Sequence, residues 1–138
     1  MNRGEYTNMT KSADTIKAVF FCLLGVALLA GMVYSIVDTR SFLKEAEVAN
    51  GQVIALNAGG SHPEIAFVTS TGEHVSYAQG GLVFGMKVGD AVQVRYLASS
   101  PKTSATLDRF LAIWTVPIFL GFFGVSAVLG GFFSFPRP

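Results

Sequence analysis

His62, Glu64, Glu73 and His74 are the residues best equipped for chemistry in this chain. His62 and Glu64 alternate onto one face of a predicted strand, and Glu73-His74 stands across a predicted hairpin. Two imidazoles and two carboxylates could supply a zinc site. Neither spacing matches a metal motif, and adjacent Glu73 and His74 point to opposite faces of a strand. Both pairs read as exposed turn residues. No Ser sits in a Gly-x-Ser-x-Gly elbow with a base beside it. Gly59-Gly60 and Gly80-Gly81 lack the Lys and following helix of a phosphate loop, so they read as loop formers. Cys22, the only cysteine, lies inside an apolar stretch and reads as a packing residue. No catalytic residue, metal site or cofactor is expected, and the chain is not expected to be an enzyme. No small-molecule substrate suggests itself.

The elements that would carry these residues are dominated by two long uncharged stretches, residues 18–37 and 110–135. At about 1.5 Å per helical residue, twenty residues reach about 30 Å, the hydrocarbon thickness of a bilayer. Only 14% of the 138 residues are charged, well under the usual quarter of a soluble domain. The expected class is therefore an α+β membrane protein, a two-helix transmembrane hairpin enclosing a small antiparallel β-sheet or barrel. Residues 18–37 exceed the core of a signal peptide and lack a clear Ala-x-Ala site, so an anchor is expected there. Neither span holds an ionisable residue, which disfavours a transporter or channel.

Residues 1–17 form a polar segment read as a flexible tail, with Thr10 or Ser12 as a cap for the incoming helix. Residues 38–50 contain no Pro and only end in Asn50-Gly51, so the first helix is expected to continue to that point. A strand from Glu47 is the alternative. Residues 51–101 carry the period of a β domain. Val53-Ile54-Ala55-Leu56 is followed by a turn at residues 57–61. A hairpin at Ser70-Thr71-Gly72-Glu73 joins the strands around Phe67 and His74-Val75-Ser76-Tyr77. After the turn Val88-Gly89-Asp90, Val92, Val94 and Tyr96 alternate with polar neighbours. Residues 102–109 read as a linker and 136–138 as a tail. The two span ends are expected to meet, where Asp38–Arg109 and Arg40–Asp108 ion pairs could form.

Between the spans, six Lys/Arg stand against seven Asp/Glu without blocks. Nucleic acid needs a clustered basic face, so it is not an expected partner. In lipid, small residues one turn apart let helices approach closely. Ala27 with Gly31, Ser126 with Gly130 and Ala127 with Gly131 are the expected packing pairs, within the hairpin or between copies.

The order Pro63, Phe67, Gly72, then Val88-Gly89-Asp90, Val92, Val94, Tyr96 and Pro101 resembles the domain-of-unknown-function 3592 family. These are small bacterial membrane proteins with a β domain between two helices. The resemblance covers residues 51–109, and Tyr96-Leu97-Ala98 replaces the family's common Tyr-Asp-Pro turn. It implies a fold and a topology, with no reaction attached. Each matched residue has a structural use: Gly72 and Gly89 for positive φ, Pro63 to stiffen a strand entry, the apolar residues as core.

Binding remains as the expected function. The first expectation is an accessory or scaffold subunit that binds another protein through its β domain or its Phe-rich helices. The alternative is a membrane-bound inhibitor or immunity protein that captures a toxin. Partners are then the lipid bilayer and a protein or a second copy. The expected place is the bacterial inner membrane as a multi-pass protein. Near the spans, four basic residues on each side leave the positive-inside rule undecided. The length of the polar segment and Lys17 against the first span favour a periplasmic or extracellular β domain.

Overall fold

The structure, a computed structural model, describes residues 2–60 and 62–136. Met1, Ser61 of the expected turn, and Arg137 and Pro138 of the expected tail lie outside the described residues. The described chain forms α1 (Arg3–Glu45), β1 (Glu47–Asn57), a 3₁₀ turn (Ala58–Gly60), β2 (His62–Val68) and β3 (His74–Ala78). Then come β4 (Ala91–Tyr96), α2 (Pro101–Ser104), β5 (Thr106–Leu107) and α3 (Phe110–Ser134). This is the α+β composition expected. It divides into two units, Met1–Ser35 with Pro117–Pro138, and Ile36–Val116.

The first unit is an antiparallel pair of helices. Residues 3–17, expected to be flexible, are helical. Asn2 caps them: its carbonyl accepts from Glu5 N at 3.0 Å, and its own N–H donates to the Glu5 carboxylate at 3.2 Å. That is one half of a capping box. Thr7, Thr10 and Thr15 turn their hydroxyls back onto carbonyls one turn earlier. Thr10 is thus inside the helix, and Asn2 is the cap. Both α1 and α3 are long and apolar enough to cross a membrane by length and composition.

The seam between them is built on glycine. A Cβ on Gly25 would lie 2.7 Å from Gly124 O, and one on Gly131 2.8 Å from Ala18 O. One on Gly121 would strike Met32 Sδ at 2.7 Å, and one on Gly124 would strike Leu29 at 2.9 Å. Cys22 Sγ lies 3.9 Å from Val128 O. Partner numbers on α3 fall as numbers on α1 rise, so the helices run opposite ways. Gly131 is on the seam, and a Cβ on Gly31 would lie 3.8 Å from Leu120 Cδ1. Ala127 is half-buried, while Ala27, Ser126 and Gly130 are exposed. At roughly 100° per residue, Ser126 and Gly130 are turned more than a right angle away from Gly124. Cβ removal matters only where backbones meet.

In the second unit, residues 36–116, the strands lie in the order β3-β2-β1-β4-β5, all antiparallel. Alternation places Val53, Ile65, Phe67, Val75, Tyr77, Val92, Val94 and Tyr96 on one buried face. Phe67 packs edge-on to Tyr77 at 6.1 Å and tilted on Tyr96 at 5.1 Å. Val83 and Met86, from the β3–β4 connection, join the same core. The helix expected to reach Asn50 stops at Glu45, and the alternative strand forms instead. Residues 47–52 pair with residues 96–91, and that ladder outweighs helical propensity. Gly51 is consequently no cap. It lies mid-strand, where a Cβ would meet Ala66 O and Val94 Cγ2 at 3.0 Å.

The segment expected to be a linker carries structure of its own. Pro101 opens the α2 turn, and Leu107 on β5 is 1% exposed. The β2–β3 hairpin turns through Gly72 (φ 86°) and the turn before β4 through Gly89 (φ 96°), as expected. Asp90 closes the latter by accepting from Lys87 N at 2.8 Å.

Candidate functional site

His62 opens β2 and His74 opens β3. Since His74 pairs with Val68 at the far end of β2, the two imidazoles stand at opposite ends of the hairpin, both exposed. Glu64 accepts from Asn57 Nδ2 at 3.5 Å. Among the described residues, no three His, Cys, Asp or Glu side chains come together in a group able to hold a metal.

The polar groups with several partners hold the fold. Tyr96 Oη donates to Glu47 Oε2 at 2.6 Å, and Ser70 Oγ donates to the same oxygen at 2.7 Å. These bonds, Tyr96 foremost, hold the Glu47 carboxyl below its ordinary pKa. Ser70 N donates to Tyr96 Oη at 2.9 Å, so the hairpin turn is tied to the start of β1. Arg95 Nε meets Asp108 Oδ1 at 2.7 Å, which raises the Arg95 pKa. This takes the place of an Arg40–Asp108 pair. Asp108 N bonds Gln93 O, and that register brings its carboxylate beside Arg95.

Gln79 was not foreseen at all. It is 3% exposed and sits just after β3, one edge of the sheet. Its Oε1 accepts from Leu107 N at 2.8 Å and Tyr77 Oη at 3.0 Å. Its Nε2 donates to Gly80 O at 2.7 Å and Thr106 Oγ1 at 3.3 Å. Leu107 and Thr106 form β5, the other edge. One amide side chain thus joins the two edges and draws the sheet into a half-barrel. Burial pushes the Tyr77 phenol pKa upward.

The residues expected to build the fold take such places. Pro63, Phe67, Val92, Val94 and Tyr96 are buried, and Pro101 is half-buried at the start of α2. None of them offers a surface to a partner.

A cleft of about 400 Å³ lies in the second unit. One wall is Asp38, Ser41, Phe42 and Glu45, residues spaced to share a helix face. Leu97, Ser104 and Thr106 face them, with Ala112 and Ile113 from α3. Phe42, Leu97, Ala112 and Ile113 give it an apolar part beside the hydroxyls of Thr39, Ser41, Ser104 and Thr106. Asp38 and Glu45 put two exposed carboxylates on it, about 10 Å apart along the helix. Neither has a hydrogen-bond or ion-pair partner among the described residues, and no Lys or Arg lines the cleft. Such a site suits a Lys or Arg side chain, whose apolar stem packs while its charge is met at the rim. The cleft lining comes from four segments distant in sequence, with Ser104 and Thr106 from the one read as linker, which hid it in the sequence.

The chain is 44% identical over 117 residues to the immune protein Tsi4 of Pseudomonas aeruginosa. The match takes in 85% of this chain and 81% of that one. An alignment of that length includes the whole sheet and part of both long helices. No protein-family model matches the chain, and no solved structure matches it. The accessory or scaffold subunit expected from the sequence is thereby overturned. The relative favours the alternative of an immunity protein.

Proposed function

Because this chain belongs to the family of the immune protein Tsi4, we propose that it is a membrane-anchored immunity protein that neutralises a toxin by binding it. The shared sequence across most of both chains is the observation that carries this reading. A non-enzymatic inhibitor needs a folded surface and no reacting groups, which fits side chains engaged in holding the sheet. The resemblance of residues 51–109 to the 3592 family adds a fold expectation and no activity.

The bilayer is the first partner. Phe20, Leu23, Val26 and Val33 on α1, with Phe119, Phe122, Phe132 and Phe133 on α3, are all exposed. Lipid is the surrounding in which that much outward apolar surface is stable. We place the chain as a two-span protein of the bacterial inner membrane, with both termini cytoplasmic and residues 38–109 periplasmic. The toxin is the second partner, held at the acidic cleft through a basic side chain.

Cross-linking in cells that carry the tagged full chain should yield one main partner. Made alone, that partner should stop growth, and co-production of this chain should restore it. A partner that is harmless alone, or one whose toxicity this chain leaves unchanged, refutes the reading. Asp38→Lys with Glu45→Lys should abolish protection while the protein still accumulates in membranes. Undiminished protection by that variant would remove the cleft from the proposal.

A further inference from the structure

Gly81, Leu82, Val83, Phe84 and Gly85 lie in the β3–β4 connection, and only part of this loop serves the core. Val83 is buried, whereas Leu82 is 37% and Phe84 69% exposed. The loop is not free of the helix that follows the sheet. Leu82 N lies 3.4 Å from Thr115 Oγ1, and a Cβ on Gly81 would sit 3.4 Å from Ala112 O. Thr115 is itself anchored to the Leu111 carbonyl. Gly81, with φ 80°, permits this approach because it lacks a side chain. Beside the loop, Phe110 and Leu111 are also exposed, and Leu82, Val83, Phe84, Arg109, Phe110 and Leu111 share one shallow groove.

The position of these contacts along α3 sets their depth. Arg109 is the last charged residue before the apolar run, and Phe110 is its first residue. Ala112 and Thr115 stand three and six residues beyond Arg109 in the sequence, about 5–9 Å along the helix axis. If Arg109 marks the headgroups, a loop seated against Ala112 and Thr115 lies inside the headgroup–acyl boundary. That is the depth, about 5–10 Å, to which apolar faces of interfacial segments sink. Raising the boundary to Thr115 would leave Phe84, Phe110 and Leu111 together in water.

We propose that the loop carrying Leu82 and Phe84 is a membrane wedge that inserts into the outer half of the bilayer beside α3, with Arg109 meeting lipid phosphates. The inference rests on the reading of α3 as a membrane span. It adds a third lipid contact, from the β domain, which ties that domain to the membrane surface. The Phe110–Trp114 stack, with centroids 6.3 Å apart, places an interfacial aromatic at the same level.

The chain's single tryptophan allows the two ideas to be tested apart. The full chain is reconstituted in phosphatidylcholine–phosphatidylglycerol vesicles, with or without bromine on the acyl carbons nearest the headgroup. Native Trp114 reports on the span. Phe84→Trp and Leu82→Trp, each with Trp114→Phe, report on the loop. Brominated lipid should remove most of the emission from all three proteins, and aqueous iodide should remove little. Quenching of Trp114 by lipid, with both loop positions quenched by iodide instead, overturns the wedge and leaves a surface exposed for a protein. An unquenched Trp114 overturns the span and the wedge with it.

Discussion

Truncating Gln79 to Ala should detach β5 from the sheet edge while leaving the central strands paired. The side chain accepts from the buried Leu107 amide at 2.8 Å and from Tyr77 Oη at 3.0 Å. Alanine leaves both donors without that acceptor in a site 3% exposed. A buried donor left unpaired costs about 1–3 kcal/mol, so the two together should cost about 2–4 kcal/mol after partial relaxation or water entry. Because 1.4 kcal/mol is tenfold, amide exchange at Leu107 should accelerate about 30- to 700-fold. Hydrogen–deuterium exchange of the full chain in detergent micelles gives this directly. Val94, in the central part of β4, serves as the internal reference. The Leu107 amide should change far more than Val94. Acceleration at Leu107 under about fivefold, or equal acceleration at both sites, would refute the closing role, since it would mean less than about 1 kcal/mol or a purely global effect.

Phe67→Ala removes a ring that is 3% exposed and in contact with two tyrosines. It should cost about 3–5 kcal/mol, seen as a fall in denaturation midpoint, and a loss under about 1 kcal/mol would contradict the packing. Glu47 titrates below its reference value of 4.5 when folded, so the unfolded chain takes up the proton first as pH falls. Its contribution is present above that value and disappears as pH drops through the folded pKa. Melting curves of Glu47→Gln and the parent should therefore converge in acid; curves that stay parallel would count against the Tyr96 and Ser70 bonds. Gly131→Ala places a methyl against Ala18 O and the Cys22 backbone, whereas Gly130→Ala has open space. Labelling of the lone Cys22 thiol by a membrane-permeant maleimide should rise with the first and not with the second. The reverse order would invalidate the seam.

Much of this protein was legible before any coordinates, because the strongest signals are local. Two uncharged runs identify two long helices by length alone, and α3 begins at the predicted residue. The alternation of Val92, Val94 and Tyr96 reads as a half-buried strand because successive side chains point to opposite faces. Glycines at 72 and 89 announce turns because positive φ is cheap only without a Cβ. The immunity reading that the Tsi4 relative favours was open to the chain, although nothing in its residues ranked it above a scaffold.

What stayed hidden was decided by partners distant in sequence. Residues 47–50 continue a helical stretch free of Pro and Gly, yet the ladder with residues 93–96 makes them strand. Thr106 and Leu107 are too short a run to carry a period, and only pairing with Val94 and Arg95 makes them β5. Small residues recur along α3, but which of them touch α1 depends on rotation about the helix axis, set by two backbones in contact at Gly25, Gly124 and Gly131. Gln79 looks like any loop residue until the sheet curls and brings both edges within reach of one amide. The acidic cleft has the same origin. Asp38 and Glu45 are ordinary helix-surface residues in sequence, and the strand and turn beyond Tyr96 give them an opposite wall.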